Sequence, residues 1–595
     1  MNWQRNIWIA VSVFLGFSLG NVTAKPSAAK VPDTLEAFPL ENIVPNMKGT
    51  TYTVLQGTEI VPVETIILGV EKNGLGPGYD MVIAKLVDPK TVLTNAVHGM
   101  SGSPMWAVDP TDGRLKLVGA LSRRIAFFEK DGHCGYTPIG DMLDVDKHVQ
   151  GGATVASQSK AEPGICSMAG SKYRPMAVPL SISSGQIDLW NQLLEKAGIS
   201  SDLFVATPGG GQKPELDLEA GDLVPGAPVA AVLMTGDVGI AGTGTLTWRD
   251  GDRVLGFGHP MFGFGESNLP MATAEIITTI PSYMMPFKLS NTGKIVGTVT
   301  QDRWSAIGGK VGPSPTLSTY RIERTHNGQA RPEIKGEFYP HKLLTPMLLT
   351  MAFQQAVAIN DDMSRQMEIK ITGELEFEGQ PALTLDNYLA SEQMPQFAAA
   401  FAFFMPLLNL YGQTDERLRA TDLKLKIETN EKPTMLRLER IMTDRKKYQP
   451  GEKVKVYAEI KEDYGDRSLE EFEFTLPESI RSGPVQLRVG MASSVDGEKV
   501  SRRFFNARGV AQRIEALNER RPDNTLVLQV STAAPGLMVR DQELPALPES
   551  ARRLLTGANS SESRRALSRQ VWLEQDKRLG GEIYGQQRLD IEVER

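Results

Sequence analysis

The chain has 595 residues and carries 64 Lys and Arg against 71 Asp and Glu, so its formal net charge is -7. This mild acidity argues against a general nucleic-acid binder, because such proteins usually carry a basic excess. Hydrophobic residues make up 41% of the chain and Gly and Pro number 56 and 37, which together indicate several globular domains rich in turns and strands.

The N-terminal segment is typical of a secretory signal peptide. Arg5 precedes a short apolar stretch, and Val22 and Ala24 occupy the small-residue positions before a cleavage point. We therefore predict that residues 1–24 are removed and that the protein is periplasmic or secreted, with an uncleaved N-terminal anchor as the alternative. In either compartment a disulfide between Cys134 and Cys166 is chemically permitted, and two unpaired thiols are the alternative.

The region after the leader is predicted to be mainly β. Short strand-like runs separated by glycine and proline follow a Pro- and Ala-rich linker, which favours barrels or sandwiches over alternating strands and helices. One helix is predicted from Gln186 to Gly198, within a connector, and another begins near Leu343. The predicted units up to this point are a linker (25–40), a first β half (41–150), a connector (151–225) and a second β half (226–375).

The C-terminal part has a different pattern. Residues 376–420 are predicted to be a helical connector, and its apolar stretch at 397–411 is too short and too interrupted by Pro406 to span a membrane. We predict a buried helix pair there, with an interfacial membrane contact as the alternative. Alternating apolar and polar residues predict a β-sandwich over 421–543, and residues 544–595 are predicted to be an irregular or partly helical extension.

The string GMSGSP at residues 99–104 is the most informative motif. A serine between glycines on a tight loop can present its hydroxyl oxygen to a carbonyl carbon. The N–H groups of Gly99 and Ser101 could then point at the oxyanion that forms. The alternative for Ser101 is a simple Gly/Ser turn between two strands.

A serine nucleophile needs a base, and the base needs an orienting group. His259 is the best candidate base because glycine precedes it and proline follows it, which fixes an unusual backbone; His98 is too close to Ser101 along the loop to present its ring easily. Asp88, before Pro89, is the preferred acid and Asp80 the alternative, although either could simply cap a turn. No metal site is predicted.

Two segments together resemble the SpoIVB-type serine peptidases, which belong to the chymotrypsin-like group. They are VHGMSGSPM at 97–105 and GTGTLTWRDGDRVLGFGHPMF at 242–262, and the similarity extends over about residues 40–375. The resemblance implies a chymotrypsin-like double β-barrel with Ser101 as nucleophile, His259 as base and Asp88 as acid. The serine segment precedes the histidine segment here, which is the reverse of the family order, so the resemblance implies a permuted arrangement without a PDZ domain.

The resemblance therefore implies a secreted or periplasmic serine endopeptidase that needs no metal or cofactor. Its substrates would be proteins or peptides, other copies of itself included, and its β-rich C-terminal part would bind envelope proteins. Nucleic acid is not an expected partner. The alternative is an inactive peptidase-fold protein that serves as an envelope scaffold or binding module.

Overall fold

The structure is a computed structural model that describes residues 34–125, 131–146, 174–183, 185–209, 216–282, 284–358, 366–392, 394–413, 418–463, 465–539, 542–557 and 564–594. The chain is mainly β, which confirms the predicted class. The predicted signal peptide and Cys166 lie outside the described residues, as does the first part of the predicted linker.

The first β half forms a closed barrel of six strands. Their order around the ring is β1-β2-β3-β6-β5-β4, and β4 pairs back with β1. The barrel encloses apolar side chains such as Val63, Ile67 and Val82, which come from alternate positions of their strands. The strands are β1 (Met47–Val54), β2 (Ile60–Gly76), β3 (Tyr79–Leu86), β4 (Pro104–Val108), β5 (Leu115–Arg124) and β6 (His133–Pro138).

Residues 139–208 connect the barrel to the rest of the chain. The predicted helix after Gln186 is confirmed, because Leu189, Trp190 and Leu193 form one buried face of it and it ends just before Gly198. The elements of this connector are α1 (Ile139–Leu143), β7 (Arg174–Pro175), β8 (Val178–Ile182), α2 (Ile187–Lys196) and β9 (Phe204–Pro208).

The second β half contains another closed ring of six strand pairings. Its order is β10-β13-β14-β15-β12-β11, and β11 pairs back with β10. The connector strands β8 and β9 extend this sheet from β11. The ring strands are β10 (Pro228–Gly236), β11 (Ile240–Asp250), β12 (Arg253–Gly256), β13 (Gly265–Ile280), β14 (Phe287–Arg303) and β15 (Ala306–Val311).

Five further strands extend the second sheet beyond β10, in the order β17-β16-β20-β18-β19. The region 397–411 is one helix that contains Pro406, not the predicted helix pair. Among the described residues, no helix is both long and apolar enough to cross a membrane. The elements are β16 (Ser318–His326), β17 (Gln329–Phe338), α3 (Leu344–Val357), β18 (Met367–Phe377), β19 (Gln380–Ser391), α4 (Pro395–Gly412) and β20 (Ala420–Asn430).

Two smaller sheets, β24-β23-β21-β29 and β22-β30-β25-β26-β27, share one apolar core in the C-terminal part, and β28 pairs with β26.

The structure places two boundaries of the C-terminal part differently from the sequence prediction. β20 belongs to the second sheet, where it pairs with β16 and β18, and the residues predicted to be an extension supply β28 to β30. The elements are β21 (Met435–Thr443), β22 (Lys447–Tyr448), β23 (Lys453–Glu462), β24 (Arg467–Thr475), β25 (Gly483–Met491), α5 (Ala492–Asn506), α6 (Val510–Asn518), β26 (Thr525–Val539), β27 (Gln542–Leu544), α7 (Glu549–Gly557), β28 (Arg564–Arg578), β29 (Glu582–Tyr584) and β30 (Gln586–Val593).

Candidate active site

Two loops, one from each closed ring, pack directly against each other. The serine loop (97–103) precedes β4, and the histidine loop (257–264) follows β12. Gly102 has a φ of +96°, and a Cβ atom on it would lie 1.9 Å from the Thr245 carbonyl oxygen and 2.5 Å from the Phe257 nitrogen. Only glycine allows this approach, which explains the glycine on the C-terminal side of Ser101.

Hydrogen bonds from β11 hold the serine loop in place. The Thr245 N–H donates to the Ser101 carbonyl at 2.8 Å, and the Thr245 hydroxyl donates to the Gly99 carbonyl at 3.0 Å. The Thr247 hydroxyl donates to the Gly102 carbonyl at 2.7 Å. A strand of the second ring therefore fixes the backbone that carries the predicted nucleophile of the first.

The two predicted reactive side chains are buried at this contact. Ser101 is 0% exposed and His259 is 1% exposed. Within the described part of the chain, neither Ser101 Oγ nor His259 Nε2 has a hydrogen-bond partner, so they are not bonded to each other. A buried polar atom without a partner is costly, typically about 1–3 kcal/mol, and both atoms therefore call for a functional explanation.

The hydrogen bond of His259 fixes which ring nitrogen carries the proton. His259 Nδ1 lies 2.7 Å from the Pro260 carbonyl oxygen, and a carbonyl oxygen can only accept. Nδ1 is therefore the protonated nitrogen of the neutral ring, which leaves the lone pair on Nε2. Burial, reinforced by the nearby Arg123 charge, lowers the pKa of His259 to about 3 and keeps the ring neutral at ordinary pH.

Neither predicted acid reaches His259. Asp88 caps the short turn that follows it, where its carboxylate accepts the Lys90 N–H at 2.9 Å and the Glu64 N–H at 3.3 Å. Asp80 accepts a hydrogen bond from Lys72 Nζ at 2.6 Å in the β2–β3 hairpin. The structure thus corrects both acid assignments, and the Pro260 carbonyl occupies the orienting position expected for a carboxylate.

The serine loop leaves two backbone N–H groups free. Met100, Gly102 and Ser103 each donate their N–H to a carbonyl oxygen. Among the described residues, the N–H groups of Gly99 and Ser101 donate a hydrogen bond to no backbone carbonyl. These are the two groups predicted to form the oxyanion hole, and they are available for that role.

The residue that anchors the histidine loop was not predicted from the sequence. Asp302 is fully buried, and its carboxylate accepts the N–H groups of Met261, Phe262 and Gly263, each at 2.8 Å. Burial raises the pKa of Asp302, while these backbone hydrogen bonds oppose the rise. The loop after His259 is therefore wrapped around one carboxylate.

Asp302→Asn should destabilise the folded protein by about 2–3 kcal/mol, because an amide has one accepting oxygen and its NH2 group would face backbone donors. Urea unfolding followed by circular dichroism measures the change. Asp250, the exposed last residue of β11, gives the matched control, and Asp250→Asn should have an effect of less than about 0.5 kcal/mol. Equal effects of the two substitutions would contradict the anchoring role.

A cavity of about 790 Å³ adjoins His259, although Ser101 does not line it. Phe262, Phe264 and Trp304 give it an aromatic wall, and the rings of Phe262 and Phe264 stack with their centroids 4.7 Å apart. Asp141 lies at its edge, where burial raises the pKa of the carboxyl to about 6. A cavity of this size can enclose several side chains of a bound ligand.

Two buried cations flank the loops, and the sequence analysis missed both. The Lys288 side chain packs on Gly99, and its Nζ donates to the Thr53 hydroxyl at 2.8 Å. The Arg123 guanidinium lies over the Trp304 ring, with Cζ 5.6 Å from the ring centroid. Burial lowers the pKa of Lys288 to about 7 and that of Arg123 to about 10.

The remaining predicted residues lie apart from this chemistry. His98 Nδ1 lies 3.1 Å from the Ala177 carbonyl oxygen, so that ring nitrogen is already engaged. Cys134 is buried in the first barrel, and the pairing predicted for it involves Cys166, which is not among the described residues.

Comparisons with known proteins identify no family for this chain. No protein-family model, no curated protein and no solved structure matches it. The functional interpretation therefore rests on the geometry of the two loops and the residues that hold them.

Proposed function

We propose that the protein is a secreted or periplasmic serine endopeptidase, with Ser101 as nucleophile and His259 as general base. The observation that carries the proposal is the paired burial of Ser101 Oγ and His259 Nε2, both without partners, in two interlocked loops. The free N–H groups of Gly99 and Ser101 support it, because they provide donors for the oxyanion.

The strand pairings support the finer part of the proposal, a permuted chymotrypsin-like double barrel. Two closed rings of six strands follow each other in the chain, and each contributes one of the two reactive loops. In this arrangement the site lies between the barrels. Chain order does not restrict such a site, because catalytic groups are defined by geometry.

In the proposed reaction, Ser101 Oγ bonds to the scissile carbonyl carbon as its proton passes to His259 Nε2. The oxyanion accepts the N–H groups of Gly99 and Ser101. The C–N bond then breaks, and His259 gives the proton to the leaving amine. Water attacks the acyl-enzyme, gives a proton to His259 and releases the acid, after which the proton returns to Ser101.

The Pro260 carbonyl takes the role that an aspartate usually has. It accepts the Nδ1–H and holds the tautomer in which Nε2 is the base. Because both reactive atoms are buried, a substrate reaches them only when the two loops part, and the cavity beside His259 is the proposed approach. The substrates would be proteins or peptides, and the C-terminal sheets would bind envelope proteins.

The second candidate is a catalytically inactive peptidase-fold scaffold. One observation favours it: no carboxylate of the described residues orients His259, since Asp88 and Asp80 are both engaged elsewhere. The two candidates differ in whether Ser101 reacts.

Labelling of the purified full chain with a fluorophosphonate probe separates them. The wild type should be labelled on Ser101, and Ser101→Ala should lose the label entirely. Ser103→Ala is the matched control: its hydroxyl donates to the Met100 carbonyl at 2.6 Å, so this variant should still be labelled. A folded wild-type protein that takes up no label would leave the scaffold as the better description.

A further inference from the structure

Arg123 is a buried cation that has no counter-ion among the described residues. Its side chain is 0% exposed, and its Nη1 donates to the Ser122 carbonyl at 3.0 Å. Its Nε and Nη2 atoms are also buried, and in the described part of the chain they have no hydrogen-bond partner. A buried guanidinium without an anion is strongly unfavourable, so an anionic group is expected to reach it in the functional state.

The two free nitrogens define what that group should be. Nε–H and one N–H of Nη2 lie in the guanidinium plane along the same edge and point in parallel, which leaves a two-pronged donor. The two oxygens of a planar carboxylate match this spacing and accept both hydrogen bonds at once. The bond from Nη1 to the Ser122 carbonyl and the Trp304 ring hold the plane in place, so the donor pair is preorganised.

The location of Arg123 connects it to the candidate active site. Trp304, on whose ring the guanidinium lies, forms part of the cavity wall, as does Pro175, the β-sheet partner of Arg123. His259 also lines the cavity, and the Arg123 charge helps to keep it neutral. Asp302, an acid that also lines the cavity, is already engaged with the backbone of the histidine loop. An anion for Arg123 must therefore come from outside these residues.

We propose that Arg123 is a specificity-determining residue that binds a carboxylate of the substrate next to the bond attacked by Ser101. The role in specificity rests on the proposed function, whereas the carboxylate site itself rests only on the geometry of Arg123. The carboxylate belongs either to the C-terminus of a bound peptide or to an Asp or Glu side chain within it. Both sources present the same two oxygens, and experiment separates them.

The test uses three N-acetylated peptides of equal length, each of which contains one aromatic residue. The first ends in a free carboxylate, the second is the same peptide as its C-terminal amide, and the third is an amide with an internal Glu. Peptide binding to the full-length wild type is measured by the rise in melting temperature and by protection of Ser101 from the fluorophosphonate probe. One of the two carboxylate peptides should bind roughly 10- to 100-fold more tightly than the neutral amide. Whether that peptide carries the C-terminal carboxylate or the internal Glu shows which kind of carboxylate Arg123 binds.

Variants assign the preference to Arg123. Arg123→Gln should bind charged and neutral peptides equally, and Arg123→Lys, which keeps the charge but loses the paired donors, should retain only part of the preference. Arg124→Gln is the matched control on the same strand, since the Arg124 side chain donates to the Met284 carbonyl at 2.8 Å, and it should behave as the wild type.

Equal binding of all three peptides by the wild type, or an undiminished preference in Arg123→Gln, would overturn the inference. If Arg123→Gln does not fold, the inference is tested by the peptide preference of the wild type and by its partial loss in Arg123→Lys. Carboxylate preference in the melting temperature without any labelling would retain the carboxylate site and remove the proposed enzyme. Labelling of Ser101 without any carboxylate preference would retain the proposed enzyme and remove the carboxylate site.

Discussion

Replacing His259 by glutamine should slow hydrolysis of an activated ester by roughly 10⁴-fold or more, about as far as Ser101→Ala does. In the proposed mechanism, Ser101 Oγ is unreactive until Nε2 removes its proton, so the two residues would act as one unit. The double variant Ser101→Ala/His259→Gln should therefore be no slower than either single variant. Steady-state rates of ester hydrolysis by the purified full-length proteins measure the effects of the two single variants and of the double variant.

The control for this experiment is His98→Gln. His98 is buried within the serine loop, and burial lowers its pKa to about 4, but its ring is hydrogen-bonded to the Ala177 carbonyl. Its replacement should change the rate by less than about tenfold, because its ring is held by the Ala177 carbonyl and has no proton-transfer role in the proposed reaction. A loss as large as that of His259→Gln would identify His98 as the base instead.

Lys288→Met should stabilise the protein at about pH 7 by a free energy on the order of 4 kcal/mol. In the folded chain the pKa of Lys288 is about 7, against 10.5 for the unperturbed side chain, because burial disfavours the ammonium and one neutral hydroxyl is its hydrogen-bond partner. Between these pH values the unfolded chain binds more protons than the folded one, so the free energy of unfolding rises with pH. Methionine removes both the free-energy cost of burying the ammonium and the rise of the unfolding free energy with pH.

Urea unfolding at about pH 7 and about pH 10 measures both effects. Lys310→Met, on the exposed side of β15, is the matched control and should leave the pH dependence of the wild type intact. A Lys288→Met variant that gains no stability at the lower pH, or that keeps the wild-type slope, would show that water or an anion reaches the ammonium in the folded protein.

The glycine and proline pattern predicted the two loops because their backbone geometry depends on those residue types. Gly102 allows a contact that no side chain would permit, and His259 follows residues with positive φ. The same kind of local signal misidentified the acid. An aspartate before a proline suits a turn cap as well as a catalytic carboxylate, and Asp88 is used as the cap.

The residues that sequence reasoning missed are those whose role depends on distant strands. Asp302, Arg123 and Lys288 are charged residues in ordinary strand sequences, and the folded chain buries all three. The boundary of the C-terminal part was misplaced for a similar reason. β20 alternates as a sandwich strand would, but its partner β16 lies about a hundred residues earlier in the chain.

The division of the proposed site between two rings also governs when activity can appear. Because the chain is synthesised from its N-terminus, the segment with Ser101 forms before the segment with His259, and at that stage the serine backbone still lacks the threonine donors of β11. An unfinished or partly folded chain would therefore hold the proposed nucleophile without its proposed base. Proteolysis would begin only after both rings have closed and docked, so completion of folding would itself protect neighbouring proteins from a premature enzyme.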